Sequence, residues 1–191
     1  MRRGGLAVVP LALALVGCKG SRAAPDAGAD APVVSDAAVE AAVEASALGA
    51  APPDDEIPAT SSDELTTRAK HLLEAIAKDT PDLAVDIEFP REGWIATRDA
   101  ADPGKEWDDH VDERFRRSVH VLAKHTDGAQ FVSLELGHAV VQVTPKHHGW
   151  KKPLWTVHGS RLTYVVDGHT RTIVIHEMIG WRGAWYVTHL R

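Results

Sequence analysis

Hydrophobic and polar positions divide this chain into stretches of different period. Leu6 to Val16 is an apolar run broken only by Pro10 and preceded by Arg2 and Arg3. It is shorter than the roughly 20 apolar residues of a membrane-spanning helix, but has the charge and length of a secretory leader. Residues 19–60 show no apolar period. From residue 61 a helical period begins: Ser61-x-x-Glu64 reads as a capping box, and Leu65, Ala69, Leu72, Leu73 and Ile76 recur on one face. Thr80-Pro81 ends that helix. A shorter helix is predicted after Pro90, with Trp94 and Ile95 facing inward. A third starts at Asp102-Pro103, a cap with proline in the first turn. Its apolar stripe is Trp107, Val111, Phe115, Val119 and Leu122, opposite Asp108, Asp109, Asp112, Glu113, Arg116 and Arg117.

Beyond Phe131 the period becomes two. Residues 131–136 and 139–144 read as one long strand bent at Gly137, and further strands are predicted over 154–158, 161–166, 170–179 and 184–190. Asp167-Gly168 is a hairpin signal and Trp181-Arg182-Gly183 makes the next turn. Helices followed by antiparallel strands predict an α+β domain, with two or three N-terminal helices packed on a curved antiparallel sheet. Trp107, Phe115, Trp185 and Val187 are expected to share one core joining the long helix to the last strand.

Composition separates the domain from what precedes it. Residues 19–60 are rich in alanine, proline and acidic groups, lack aromatic residues, and set Lys19 and Arg22 against eight carboxylates. Such a stretch buries too little apolar surface to offset its ordering entropy, so it reads as a disordered acidic tether, with a transient helix over 37–48. The division is therefore a leader over 1–18, a tether over 19–60 and one domain over 61–191.

The leader ends in Leu15-Val16-Gly17-Cys18, which resembles the bacterial lipobox. That resemblance implies a lipidated Cys18 that becomes the new N-terminus, carries a diacylglyceryl thioether and an acylated (palmitate-type) amine, and anchors the protein to a membrane. Two or more acyl chains make such attachment stable where one is marginal. Lys19 stands where an aspartate retains many such proteins at the inner membrane, so the expectation is an outer-membrane anchor with the domain facing the periplasm, or the cell surface. The competing reading is an ordinary cleaved leader with an incidental cysteine. Cys18 is the only cysteine. The domain therefore has no disulfide, thiol nucleophile or thiolate metal site.

The opening helix over 64–78, the Phe89-Pro90-Arg91-Glu92 turn, the second long helix and the closing Trp181-Arg182-Gly183-Ala184-Trp185-Tyr186-Val187 hairpin resemble the NTF2-like/cystatin-like α+β cone. The resemblance implies a pocket between sheet and helices, which in that family's enzymes carries an Asp, His or Tyr acid or base. The strand residues of those types, with Glu177, are His158, Tyr164, His176, Glu177, Tyr186 and His189. Glu177 shares parity with Ile173, Ile175 and Ile179; either it points inward with them or, as expected, it lies in water at the frayed end of its strand. No family active-site motif transfers residue by residue.

Eleven histidines raise the question of a metal. His110 and Glu113 have helical ligand spacing, but such a pair on a charged helix face reads as surface; His147 and His148 are adjacent and point apart in an extended chain, and no HExxH pattern occurs. No P-loop, dinucleotide fingerprint or G-x-S-x-G elbow is present, and no motif calls for a cofactor.

Charge is distributed unevenly. Nine basic residues face fifteen acidic ones over 61–117, against eight and four over 118–191, so the sheet half is basic in a chain of net charge −6. Lys146, His147, His148, Trp150, Lys151, Lys152 and Trp155 concentrate cations and indoles in one loop. If the indoles are exposed, the loop suits an anionic lipid headgroup, a glycan or an acidic envelope protein; otherwise they fold onto the core and leave the lysines solvated. A net-acidic exported chain does not suit nucleic acid. The expectation is a membrane-anchored envelope lipoprotein presenting a non-catalytic binding or interaction domain. The alternative is a small pocket enzyme of isomerase, dehydratase or cyclase type.

Overall fold

A computed structural model describes residues 53, 54, 56–145 and 149–191. Cys18, most of the tether with its 37–48 segment, and Lys146, His147 and His148 lie outside the described residues.

Helix α1 (Asp63–Ala77) begins one residue later than its sequence signal suggests. Ser62, not Ser61, is the cap, its Oγ accepting the Leu65 N–H at 3.0 Å, while Asp63 and Glu64 place negative charge on the positive end of the helix. Leu65, Ala69, Leu72, Leu73 and Ile76 are buried, as their spacing predicts. A 3₁₀ turn (Pro81–Ala84) follows. The chain then runs beside the last strand: Phe89 N–H donates to Val187 O at 2.9 Å and Val187 N–H to Ile87 O at 2.7 Å, a parallel bridge centred on Glu88.

Helix α2 (Arg91–Thr97) buries Trp94 but leaves Ile95 38% exposed, correcting the expectation that both face inward. Successive helical residues point about 100° apart, and one short turn cannot bury both. Helix α3 (Pro103–Trp107), capped by the Asp102 carboxylate on Lys105 N–H, continues through a π turn (Asp108–Asp112) into α4 (Glu113–Ala123). Val111, Phe115 and Val119 are buried along this continuous helix, with Trp107 and Leu122 partly so.

Five antiparallel strands form the sheet: β1 (Gln130–Glu135), β2 (Val140–Val143), β3 (Leu154–Val166), β4 (His169–Trp181) and β5 (Ala184–His189). The order is β1-β3-β4-β5, and β2 also pairs with β3. The chain over 130–143 thus lines one edge in two pieces, with the break near Gly137. A side chain at Gly137 would collide with the His158 carbonyl, which is why glycine stands there. The two strands predicted over 154–166 are one, because pairing with β4 stays in register from Trp155 to Val166. Both hairpin turns use two residues at positive φ, Asp167-Gly168 (51° and 74°) and Arg182-Gly183 (48° and 73°), as type I′ turns require.

Two apolar clusters hold the layers together. The larger joins Leu72, Ile76, Phe115 and Val119 to Leu162, Ile175, Met178, Trp185 and Val187. The smaller contains Phe89, Trp94, Val111, Trp150, Leu154, Ile179 and Trp181. Trp107 packs on the smaller one, so the single core expected for Trp107, Phe115, Trp185 and Val187 is divided. Its indole N–H donates to Phe89 O at 2.7 Å.

The domain's contacts begin before residue 61. Asp54 pairs with Lys152 at 2.6 Å and Arg182 at 3.4 Å, Pro58 is buried with Gly180 beside it, and Ala59 O accepts the Trp185 indole N–H at 3.2 Å. Among the described residues, no helix is long and apolar enough to cross a membrane.

Candidate functional site

The loop singled out for its cations and indoles is tied down at its C-terminal part. Trp150 is 6% exposed, edge-on to Trp94 with ring centres 5.2 Å apart, and the Arg98 guanidinium lies over both rings at 4.8 and 5.2 Å. Arg98 in turn binds both oxygens of Glu106 at 3.0 and 3.1 Å. Backbone bonds from Lys151 N–H to Thr97 O and from Asp99 N–H to Gly149 O, both 2.7 Å, complete the attachment. Trp155 is half-buried against the larger cluster. Of the two readings open for these indoles, the structure places Trp150 in the core. Of the loop's described lysines, Lys152 carries an ion pair to Asp54, while Lys151 is exposed with Nζ 3.5 Å from Ile95 O.

Two clefts present chemistry instead. The first, about 350 Å³, opens between the helical layer and the sheet and is lined by Arg98, Glu106, His110, Arg114, Glu177 and His189, with Trp94, Val111 and Thr188. Glu177 does not lie at a frayed strand end: β4 continues to Trp181. Glu177 pairs with His189 and Met178 with Val187, so Thr188 is the extra residue of a β-bulge. The bulge sets the Thr188 hydroxyl 2.7 Å from Glu177 Oε2, to which it donates. His110 reaches this cleft from the π turn, a helical irregularity that recurs at functional sites. A half-buried carboxylate, two histidines and an arginine can hold a polar ligand or exchange a proton with it.

The second cleft, about 580 Å³, runs beside residues 171–174 and 176 of β4, between the end of α4 (Leu122, His125) and the chain after β5 (Leu190, Arg191). Its floor includes Ile173, Leu122 and Leu190, its cations are Arg171 and Arg191 beside His125 and His176, and among the described residues no carboxylate side chain lines it.

The remaining strand candidates are dispersed. Tyr164 is buried in the larger cluster and touches only the second cleft. Tyr186 lies under the Arg68 guanidinium at 4.3 Å. His158 is exposed, with Nε2 3.9 Å from Glu177 Oε1, and His176 stacks on His189 at 5.1 Å. Among the described residues, no three His, Asp or Glu side chains converge on a point that could hold a metal ion. Glu88 carried no sequence signal: it is 5% exposed, its Oε1 lacks a partner among the described residues, and burial, with Asp112 nearby, pushes its carboxyl up to about 7.

The chain matches no family model, no curated protein and no solved structure.

Proposed function

We propose that this chain is an envelope lipoprotein, anchored to the outer membrane through Cys18, that presents an NTF2-like/cystatin-like domain as a non-catalytic binding module. The observation that carries the anchor is the lipobox at the end of a charged, apolar leader, on the only cysteine. Helices followed by an antiparallel sheet, with Ile87–Phe89 running parallel to the last strand, support the fold assignment. A binding role is supported by the second cleft, where an apolar floor meets cationic side chains and no described carboxylate side chain, a lining that suits anionic protein or lipid partners. The experiment is fractionation of cells carrying the wild-type chain or Cys18→Ser. Release of the variant from membranes is expected, and unaltered membrane attachment overturns the anchor.

One observation favours the alternative of a small pocket enzyme: Glu177, hydrogen-bonded by Thr188, faces His110, Arg114 and His189 in one cleft. Isomerases and dehydratases remove protons next to carbonyls with such a base. Deuterium exchange from heavy water into a panel of small ketones and β-keto esters tests it. Exchange above buffer that Glu177→Gln abolishes supports the enzyme; exchange no faster than in buffer removes it.

A further inference from the structure

Strand β4 is longer than its neighbour on one side. β5 pairs with it only over residues 177–181, whereas β3 pairs with it along its whole length to His169. Among the described residues, 170–176 therefore have β3 on one side and no strand on the other. After His189 the chain leaves the sheet, and Leu190 turns into the larger cluster. Among the described residues no backbone hydrogen bond from a loop or helix covers this edge, and Val174 in its middle is 46% exposed. At about 3.3 Å per residue the open stretch spans roughly 20 Å, the length of an average strand.

The second cleft lies along this edge, since 171–174 and 176 form one of its walls. Open edges are templates for another strand, and proteins that leave one open either guard it with charge or use it. Among the described residues, the charged side chains here have one sign. Arg171 and Arg191 have no ion-pair partner among the described residues, and His125 and His176 border the same cleft. A second copy of this chain added edge to edge would bring these cations against their own counterparts, which disfavours it.

We propose that the edge of β4 over residues 170–176 is a docking site for an extended acidic segment of a partner protein, added to the sheet as a further strand in place of the β5 that stops short. Backbone groups of 170–176 supply the ladder, the floor of Leu122, Ile173 and Leu190 takes an apolar side chain, and Arg171 and Arg191 take the carboxylates. The proposal rests on the reading of this domain as a binding module. It does not depend on the lipid anchor.

The experiment titrates the full-length chain, in an uncharged maltoside detergent, with a fluorescent peptide of alternating valine and glutamate. Controls are the same peptide with lysine for glutamate, and one with a central proline that removes a backbone donor. The valine–glutamate peptide is expected to bind with a dissociation constant on the order of 10–100 μM. Arg171→Glu should weaken it at least about tenfold, and amide exchange over 170–176 should slow when it binds. Because Arg171 is exposed, its reversal leaves the fold intact, which circular dichroism checks. The proposal is overturned if no binding occurs, if the proline peptide binds as well as the uninterrupted one, or if Arg171→Glu has no effect. It is also overturned if the chain dimerises through this edge, or if binding appears only after deletion of residues 19–52, which makes the chain's own acidic tether the occupant. Failure here leaves the Cys18→Ser fractionation result untouched, so the two readings fail separately.

Discussion

Arg98 lays its guanidinium 4.8 Å from the centre of the Trp150 ring, and this contact fixes where the cationic loop goes. The arginine also stacks on Trp94 and is held by Glu106, so helix α2, helix α3 and the loop meet at one side chain. Stacking of this kind contributes about 0.5–2 kcal/mol beyond apolar burial. Trp150→Ala is therefore expected to lower stability by about 3 kcal/mol or more, the usual cost of truncating a buried aromatic residue, and to raise loop mobility. Denaturant unfolding with amide exchange at Lys151 checks it; an unchanged midpoint would show that the indole contributes nothing.

The segment before α1 should behave as part of the domain. A chain beginning at residue 61 loses buried Pro58, the Ala59 acceptor of Trp185 and the Asp54 ion pairs. Relative to a chain beginning at residue 53, its melting temperature should fall by about 3–8 °C, from roughly 1–2 kcal/mol of lost contacts. Lys152→Glu should cost about 0.5–1 kcal/mol, read from urea midpoints. The Lys152 hydrogen bond holds the Asp54 carboxyl below its usual range. The stability from this pair is thus present above the ordinary carboxylate range and is lost as pH falls through the lowered value.

Glu88 predicts a pH dependence of opposite sign. Burial raises its carboxyl from an ordinary 4.5 to about 7, Asp112 and Asp82 push in the same direction, and Arg116 opposes them. Between those values the unfolded chain is ionised while the folded one keeps the proton, so stability falls as pH rises from about 4.5 to about 7 and is level above. Glu88→Gln imitates the protonated form. It should match the wild type near pH 4 and exceed it by roughly 3 kcal/mol at pH 8. Urea midpoints of both chains across that range provide the measurement, and parallel curves would refute it.

Phe115 is 2% exposed and joins the long helix to the sheet inside the larger cluster. Phe115→Ala should cost about 3–5 kcal/mol and leave the domain largely unfolded at physiological temperature. Near-native thermal unfolding of the variant would contradict this packing.

Spacing and turn chemistry in the sequence determined the α+β class, the buried faces of α1 and of the 103–123 helix, and the two-residue hairpin at Asp167-Gly168; the second turn reads as Trp181-Arg182-Gly183 in the sequence, and pairing of Trp181 with Ala184 shortens it to Arg182-Gly183. Those features arise between residues a few positions apart, where backbone dihedrals and amphipathic period decide the outcome. Residues distant in the chain decided the rest. Trp150 turned inward because Arg98 and Trp94, more than fifty positions earlier, stack on it. Pro58 joined the domain because Gly180 leaves room for it. The edge of β4 stayed open because β5 ends at His189 and Leu190 turns into the core. Glu88 and Glu177 looked like any other glutamates in the sequence. One became a buried acid and the other a hydrogen-bonded carboxylate in a cleft, because a carboxyl group's chemistry depends on the solvent and charges around it, and only the assembled helices and strands supply those.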